Sequence, residues 1–133
     1  MQIVVAYLAA TVAFFAIDYV ALTRVIKPTF ERQIGDWLLE SPRMGPAAAF
    51  YLFYVVGLVY FVVNPALQGE WSWVRTILTG AFLGAIAYGT YEFSNLATLT
   101  RWDWKLVAMD TTWGAVLTGT VALIGTWAGR AVA

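Results

Sequence analysis

The sequence contains no cysteine and no histidine among its 133 residues. Without cysteine there are no disulfides, thiolate nucleophiles or iron–sulfur clusters. Without histidine there is no imidazole ligand for a metal or a haem. We therefore predict no metal site and no cofactor, and any chemistry would depend on carboxylates, hydroxyls, Lys, Arg or Trp.

Charge is also scarce, because only 12% of the residues are charged while 61% are hydrophobic. A soluble domain is usually about one quarter charged. This chain would expose too much apolar surface to water, so we expect lipid to be the solvent around it. The formal net charge is zero, which gives no reason to expect a nucleic acid as partner.

Four long apolar runs account for most of the chain, and they cover roughly residues 3–22, 45–63, 74–93 and 104–128. Each is near the ~20 residues that a helix needs to cross the hydrocarbon core of a bilayer, and none alternates as a barrel strand does. Met1-Gln2 carries no basic residue, so the first run is interpreted as a retained span and not as a signal peptide. We predict an all-α integral membrane four-helix bundle that forms a single transmembrane domain.

The first connection, residues 23–44, is long enough to hold structure of its own. Pro28 and Pro42 bracket apolar residues at the spacing of one helical face: Phe30, Ile34, Trp37 and Leu38. This pattern predicts a short amphipathic helix that lies in the membrane interface between the first two spans.

The basic residues are distributed unequally between the two sides of this topology. One side carries Arg24, Lys27, Arg32, Arg43, Arg101 and Lys105, and the other carries Arg75 and Arg130. The positive-inside rule then places both termini on the outer side and the long connection in the cytoplasm. Many of the seven tryptophans lie at predicted span ends, as expected for an aromatic belt.

Three carboxylates, Asp18, Glu92 and Asp110, lie inside the predicted spans. At ~1.5 Å per residue, all three fall within about 10 Å of the cytoplasmic boundary. Ionisable groups in membrane-spanning helices are costly and usually face the bundle interior or a wet cavity, so each one indicates a functional site.

Small residues at four-residue spacing lead to two of these acids, in the series Gly80, Gly84, Tyr88, Glu92 and Asp110, Gly114, Thr118, Ala122. Such stripes suit close helix contacts. We predict a binding site lined by Asp18, Glu92 and Asp110, with Tyr88, Asn95 and Thr98 as hydrogen-bonding support. A structural alternative is that Arg24, Lys27, Arg101 and Lys105 pair with the acids at the same depth.

The run Tyr91-Glu92-Phe93-Ser94-Asn95-Leu96-Ala97-Thr98-Leu99, then Trp102 and Asp110-Thr111-Thr112-Trp113-Gly114, resembles a known family. It is similar to the bacterial membrane proteins of Domain of Unknown Function 2177. The chain length and the acid near the end of the first span also fit that family. That family more usually has Asp and Thr where this chain has Glu92 and Ser94. The resemblance implies a small multi-pass protein of the bacterial inner membrane, so the outer side assigned to the termini by the positive-inside rule would be the periplasm, and it implies no particular activity.

Three functions remain open. The first is an inner-membrane protein whose carboxylate-lined crevice, open to the cytoplasm, binds or passes a small amphiphile, a cation or a proton. The second is an accessory or assembly subunit of a larger membrane complex, or a homo-oligomer, that uses the small-residue stripes for a partner. The third is a lipid-modifying enzyme with a carboxylate as general acid or base, although no nucleophile–base pair and no cofactor motif supports it.

Overall fold

The computed structural model of the chain describes residues 1–37 and 43–133. Over these residues the backbone is mainly helical and contains no strand, which confirms the predicted all-α fold. The α-helices are α1 (Gln2–Ala21), α2 (Lys27–Ile34), α3 (Met44–Leu58), α4 (Asn64–Gln68), α5 (Trp73–Thr98) and α6 (Trp104–Ala131). Leu38 and Pro42 of the predicted amphipathic segment lie outside the described residues.

Three helical stretches in the described part of the chain are long and apolar enough to cross a membrane. They are Gln2–Arg32, Met44–Gln68 and Trp104–Ala131, with 31, 25 and 28 residues. Helix α5 has the length of a span, with 26 residues, but it contains Arg75 and Glu92 and several Gly, Thr and Tyr residues. It packs extensively against α6.

Two π-helical turns join shorter helices into these long stretches. Leu22–Ile26 connects α1 to α2, and Val59–Val63 connects α3 to α4. Each turn ends just before a Lys-Pro or Asn-Pro pair, and the proline lies in the first turn of the next helix. Proline lacks an N–H and its ring clashes with the carbonyl four residues earlier, so a wider π turn lets the helix continue past it.

Helix α2 occupies the position of the predicted amphipathic helix. Ile26 and Ile34 are buried, and the ring of Phe30 meets that of Trp102 with 5.5 Å between centroids. Glu31 and Arg32 on the other face are exposed. The helix continues directly from α1 instead of following a loop, because the π turn accommodates Pro28.

Helix α6 lies at the centre and contacts both α5 and α1. A Cβ on Gly84 would overlap the backbone of Gly114, and one on Gly114 would overlap the ring of Tyr88. A Cβ on Gly80 would lie 2.8 Å from that of Ala122. The small-residue stripes therefore form the α5–α6 contact within the chain and are not free for a partner.

Helix α1 also packs closely against α6 through small residues. Its buried face contains Ala6, Ala10 and Phe14. A Cβ on Gly125 would come within 3.3 Å of Ala10, and one on Gly129 would lie 3.4 Å from that of Ala6. Close approach of α1 to α6 therefore depends on alanine on one helix and glycine on the other.

Polar contacts hold the two ends of the bundle. At one end, Arg101 donates to Asp36 and joins the segment after α5 to the segment after α2. At the opposite end, Arg130 donates to the carbonyl oxygens of Trp71 (2.6 Å) and Ala66 (3.3 Å), and its guanidinium lies over the ring of Trp73. These contacts fix the turn between α4 and α5 against the end of α6.

Both long C-terminal helices begin at a capping side chain. Ser72 accepts a hydrogen bond from the backbone N–H of Arg75, and Asp103 accepts one from that of Leu106. Each cap satisfies an N–H that has no partner inside the helix. Asp103 therefore sets the register of α6 and the position of Asp110, two turns further along.

The outer surface of the bundle is apolar. Phe53, Phe61 and Phe82 are each more than 60% exposed, as is Val12. Such a continuous apolar surface is typical of protein that faces lipid.

Candidate functional site

The acids lie at or near the ends of the buried faces of three helices, at one end of the bundle. In α1 the buried residues recur every four positions and end at Asp18. In α5 the buried face ends at Glu92, and in α6 Asp110 lies one turn after Leu106, where the buried face begins. Because α1 and α5 run toward this end and α6 starts there, the three carboxylates converge on one region.

A cavity of about 760 Å³ opens at this end. Its lining comes from α1, α2, α3, α5, α6 and the π turn after α1, and it includes Asp18, Asp110 and Lys27. Small-molecule sites usually have volumes of about 300–1,000 Å³ and mainly apolar walls with a few polar groups. The walls here are rich in aromatic rings, namely Phe30, Phe50, Tyr51, Tyr54, Tyr88, Tyr91 and Trp113.

Asp18 is held at the cavity wall by a tryptophan. The indole Nε1 of Trp113 donates to Asp18 Oδ1 at 3.2 Å, and the hydroxyl of Tyr51 also faces this carboxylate. Asp18 is only 5% exposed. A buried carboxylate needs such donors because it has lost most of its water.

Glu92 and Asp110 form a pair. Their carboxyl groups lie within hydrogen-bonding reach of each other. Glu92 Oε1 also accepts from the indole Nε1 of Trp102 at 2.8 Å. Glu92 is fully buried, so only Asp110 of this pair reaches the cavity. Glu92 was predicted to line the binding site, but it lies behind Asp110 and is not part of the lining.

The described residues do not show the alternative arrangement, in which Lys or Arg side chains pair with these acids. The ion pairs among the described residues are Lys27 with Glu31, at 3.8 Å, and Arg101 with Asp36. Asp18, Glu92 and Asp110 have none. Within the described ranges no three acidic side chains come close enough together to hold a metal ion.

The three predicted supporting residues have different positions. Tyr88 lines the cavity, and its ring meets that of Tyr54 with 6.3 Å between centroids. Asn95 lies outside the lining, but its side chain is near the hydroxyl of Tyr91, which is part of it. Thr98 is exposed and donates to the carbonyl oxygen of Ser94, so it does not reach the cavity.

Sequence reasoning missed the aromatic partners. Tyr51 and Tyr54 lie on α3, which carries no acid, and Tyr54 is hydrogen-bonded to Thr118 at 2.8 Å. Trp113 is 95 positions from Asp18, and no local pattern connects them. One available signal was the position of Trp113 near the middle of a span, where an aromatic belt does not place tryptophan.

A family model described as "Predicted membrane protein (DUF2177)" matches residues 3–127, which include all three acids and both indole partners. The chain belongs to this family. As a DUF2177 protein it is a membrane protein, and its exposed apolar surface contacts the lipid bilayer. No curated protein and no solved structure matches the chain.

The description of the DUF2177 family specifies a membrane protein and no ligand. Its chemistry must therefore be argued from the cavity. A pocket with aromatic walls and two acids can bind a cation through charge and through the faces of the rings, and it can bind an apolar chain along the same walls.

Proposed function

We propose that this DUF2177 protein binds a small amphiphile with a cationic head group in the cavity. The observation that carries the proposal is that Asp18 and Asp110 line one aromatic cavity and neither forms an ion pair with any described residue, since Lys27 of the same lining pairs with Glu31. Buried carboxylates without such a partner attract a cation strongly, because little water remains to stabilise their charge. An ammonium group would supply the missing charge.

The rest of the lining supports an apolar body for this ligand. Phe50, Tyr51 and Tyr54 line the cavity from α3, opposite Tyr88 and Tyr91 of α5. Aromatic faces attract ammonium groups and also bury hydrocarbon. A metal ion or a free inorganic cation would not use these apolar walls, which favours an amphiphile.

The distribution of basic residues supports an orientation. Arg24, Lys27 and Arg101 lie at the cavity end, and the only basic residues at the opposite end of the sequence-based topology are Arg75 and Arg130. By the positive-inside rule the cavity would open toward the cytoplasm of a bacterial inner membrane, with both termini periplasmic. A ligand could then enter from the inner leaflet.

Binding of radiolabelled dodecyltrimethylammonium to the protein in lipid nanodiscs tests the proposal, with empty nanodiscs as the blank. We expect saturable binding that Asp18→Asn weakens about 10–100-fold, since hydrogen bonds and contacts to a charged group contribute about 1.5–3 kcal/mol. Asp110→Asn should also weaken it. The matched control is Glu70→Gln, which removes an exposed carboxylate at the opposite end and should leave binding unchanged.

Two results would overturn the proposal. One is that uptake of the probe does not exceed that of empty nanodiscs. The other is that Asp18→Asn and Glu70→Gln bind with the same affinity as the original chain while remaining folded by circular dichroism.

A further inference from the structure

Glu92 presents a buried polar atom that the proposed binding does not use. Its side chain has no exposed surface, and Trp102 satisfies Oε1. The second oxygen, Oε2, receives no hydrogen bond from any donor in the described residues. An unsatisfied carboxylate oxygen at such a position is costly, so it calls for an explanation.

Asp110 provides that explanation if one of the two acids is protonated. The two carboxyl groups are within hydrogen-bonding reach, but two ionised carboxylates can only accept hydrogen bonds. One proton between them supplies the missing donor and removes the repulsion between two buried negative charges. A single proton shared by the two carboxyl groups is therefore the state that satisfies both side chains.

The pair also connects the interior with the cavity. Asp110 lines the cavity and is 8% exposed, whereas Glu92 lies behind it against Trp102. A charge that enters the cavity therefore acts first on Asp110 and through it on Glu92.

We propose that entry of a cationic head group displaces this proton, so that the protein exchanges one proton for one cationic ligand. This inference rests on the proposed function. The O–H bond of the shared carboxyl breaks, the proton leaves to water, and the pair goes from one negative charge to two. The incoming ammonium carries one positive charge, so the net charge of the site is unchanged.

The groups around the pair support this assignment of the proton. Asp18 of α1 and Lys27 of α2 share the cavity lining with Asp110, as do three tyrosines: Tyr51 of α3 and Tyr88 and Tyr91 of α5. The tyrosines are neutral donors near neutral pH, and Lys27 is already paired with Glu31. Asp18 accepts a hydrogen bond from Trp113 and is faced by the hydroxyl of Tyr51.

Isothermal titration calorimetry tests the exchange. The full chain in nanodiscs is titrated with dodecyltrimethylammonium at one neutral pH in several buffers of different ionisation enthalpy. This probe has a permanent charge and no exchangeable proton, so any released proton comes from the protein. We expect the observed enthalpy to change linearly with buffer ionisation enthalpy, with a slope of about one proton released per ligand.

Glu92→Gln identifies the source of the proton. Its amide can accept from Trp102 and donate to Asp110, as a protonated Glu92 would, so binding should persist while the slope falls to near zero. Asp110→Asn should abolish proton release as well, which covers the case in which Glu92→Gln does not fold. Glu70→Gln should keep the slope of the original chain.

The outcomes separate the two proposals. Absence of binding by the original chain overturns both the proposed function and the exchange. Binding with no dependence on buffer ionisation enthalpy overturns the exchange alone. Proton release that persists in both Glu92→Gln and Asp110→Asn also overturns it, because the proton would then come from another group.

Discussion

At the scale of single residues, two tryptophan N–H groups allow carboxylates to remain inside an apolar bundle. Trp113 donates to Asp18, and Trp102 donates to Glu92. The sequence indicated the acids because charged residues are rare in membrane spans. It did not indicate their donors, since each contact joins residues on different elements and tryptophan is also common at membrane interfaces.

The substitution Trp102→Phe should lower the free energy of unfolding by about 1–3 kcal/mol, because it keeps an aromatic ring but leaves Glu92 Oε1 without its donor. Trp104→Phe is the control, since Trp104 is 68% exposed. Unfolding by a denaturing detergent, followed by circular dichroism, gives both values. Equal stability of the two variants would show that the indole–carboxylate hydrogen bond does not stabilise the fold.

At the scale of helices, the four-residue stripes of small residues indicated where close helix packing could occur. They identified the faces of α5 and α6 that meet, because Gly80, Gly84 and Gly114 leave room only for a close neighbour. The corresponding face of α1 was not identified from Ala6, Ala10 and Phe14, since alanine and phenylalanine can lie on a lipid-facing surface as well as in a helix contact. Pro28 was read as a helix boundary, whereas the π turn carries the helix past it.

The variant Gly84→Ala should destabilise the bundle by about 1–3 kcal/mol, because the added methyl overlaps the backbone of Gly114 and forces α5 away from α6. Gly57→Ala in α3 is the control, since a methyl group there meets no atom within 4 Å. It should be neutral or stabilising by up to about 1 kcal/mol, because alanine favours the helix. Detergent unfolding of the two proteins measures the difference. A Gly84→Ala variant as stable as Gly57→Ala would contradict the close α5–α6 contact.

The far end of the bundle offers a second test of helix packing. Arg130→Lys should lower the free energy of unfolding by about 1–2 kcal/mol, because lysine cannot make both carbonyl contacts and also lie flat over Trp73. Arg75→Lys is the control, since Arg75 is exposed and lies over the ring of Trp71. If both variants unfold at the same denaturant concentration as the original chain, the contacts of Arg130 do not hold the turn.

At the scale of the whole molecule, composition and run length were enough to predict an all-α membrane protein, and the resemblance of residues 91–99, Trp102 and 110–114 indicated the DUF2177 family. The depth of the three acids placed them near one end before any contact was known. The sequence could not show that Asp18 faces a cavity while Glu92 lies behind Asp110. That difference depends on the rotation of each helix and on where α3 separates from its neighbours, and neither leaves a local pattern.

The proposed orientation in the membrane can be measured because the chain has no cysteine. A single Gln68→Cys, at the exposed C-terminal residue of α4, should react with a membrane-impermeant maleimide in intact cells. A single Thr100→Cys, at the exposed connection after α5, should react only after the membrane is permeabilised. The opposite labelling pattern would reverse the orientation and place the cavity on the outer side.

The most direct test of the account is photo-crosslinking with a long-chain quaternary amine that carries its reactive group beside the head group. Peptide mass spectrometry then locates the crosslinks. We expect them on the cavity lining of α3 and α6, near Tyr51, Tyr54 and Trp113, and we expect Asp18→Asn to remove most of them. Crosslinks spread over lipid-facing residues such as Phe53 and Phe82, and unchanged in Asp18→Asn, would contradict the claim that the acidic cavity is the binding site.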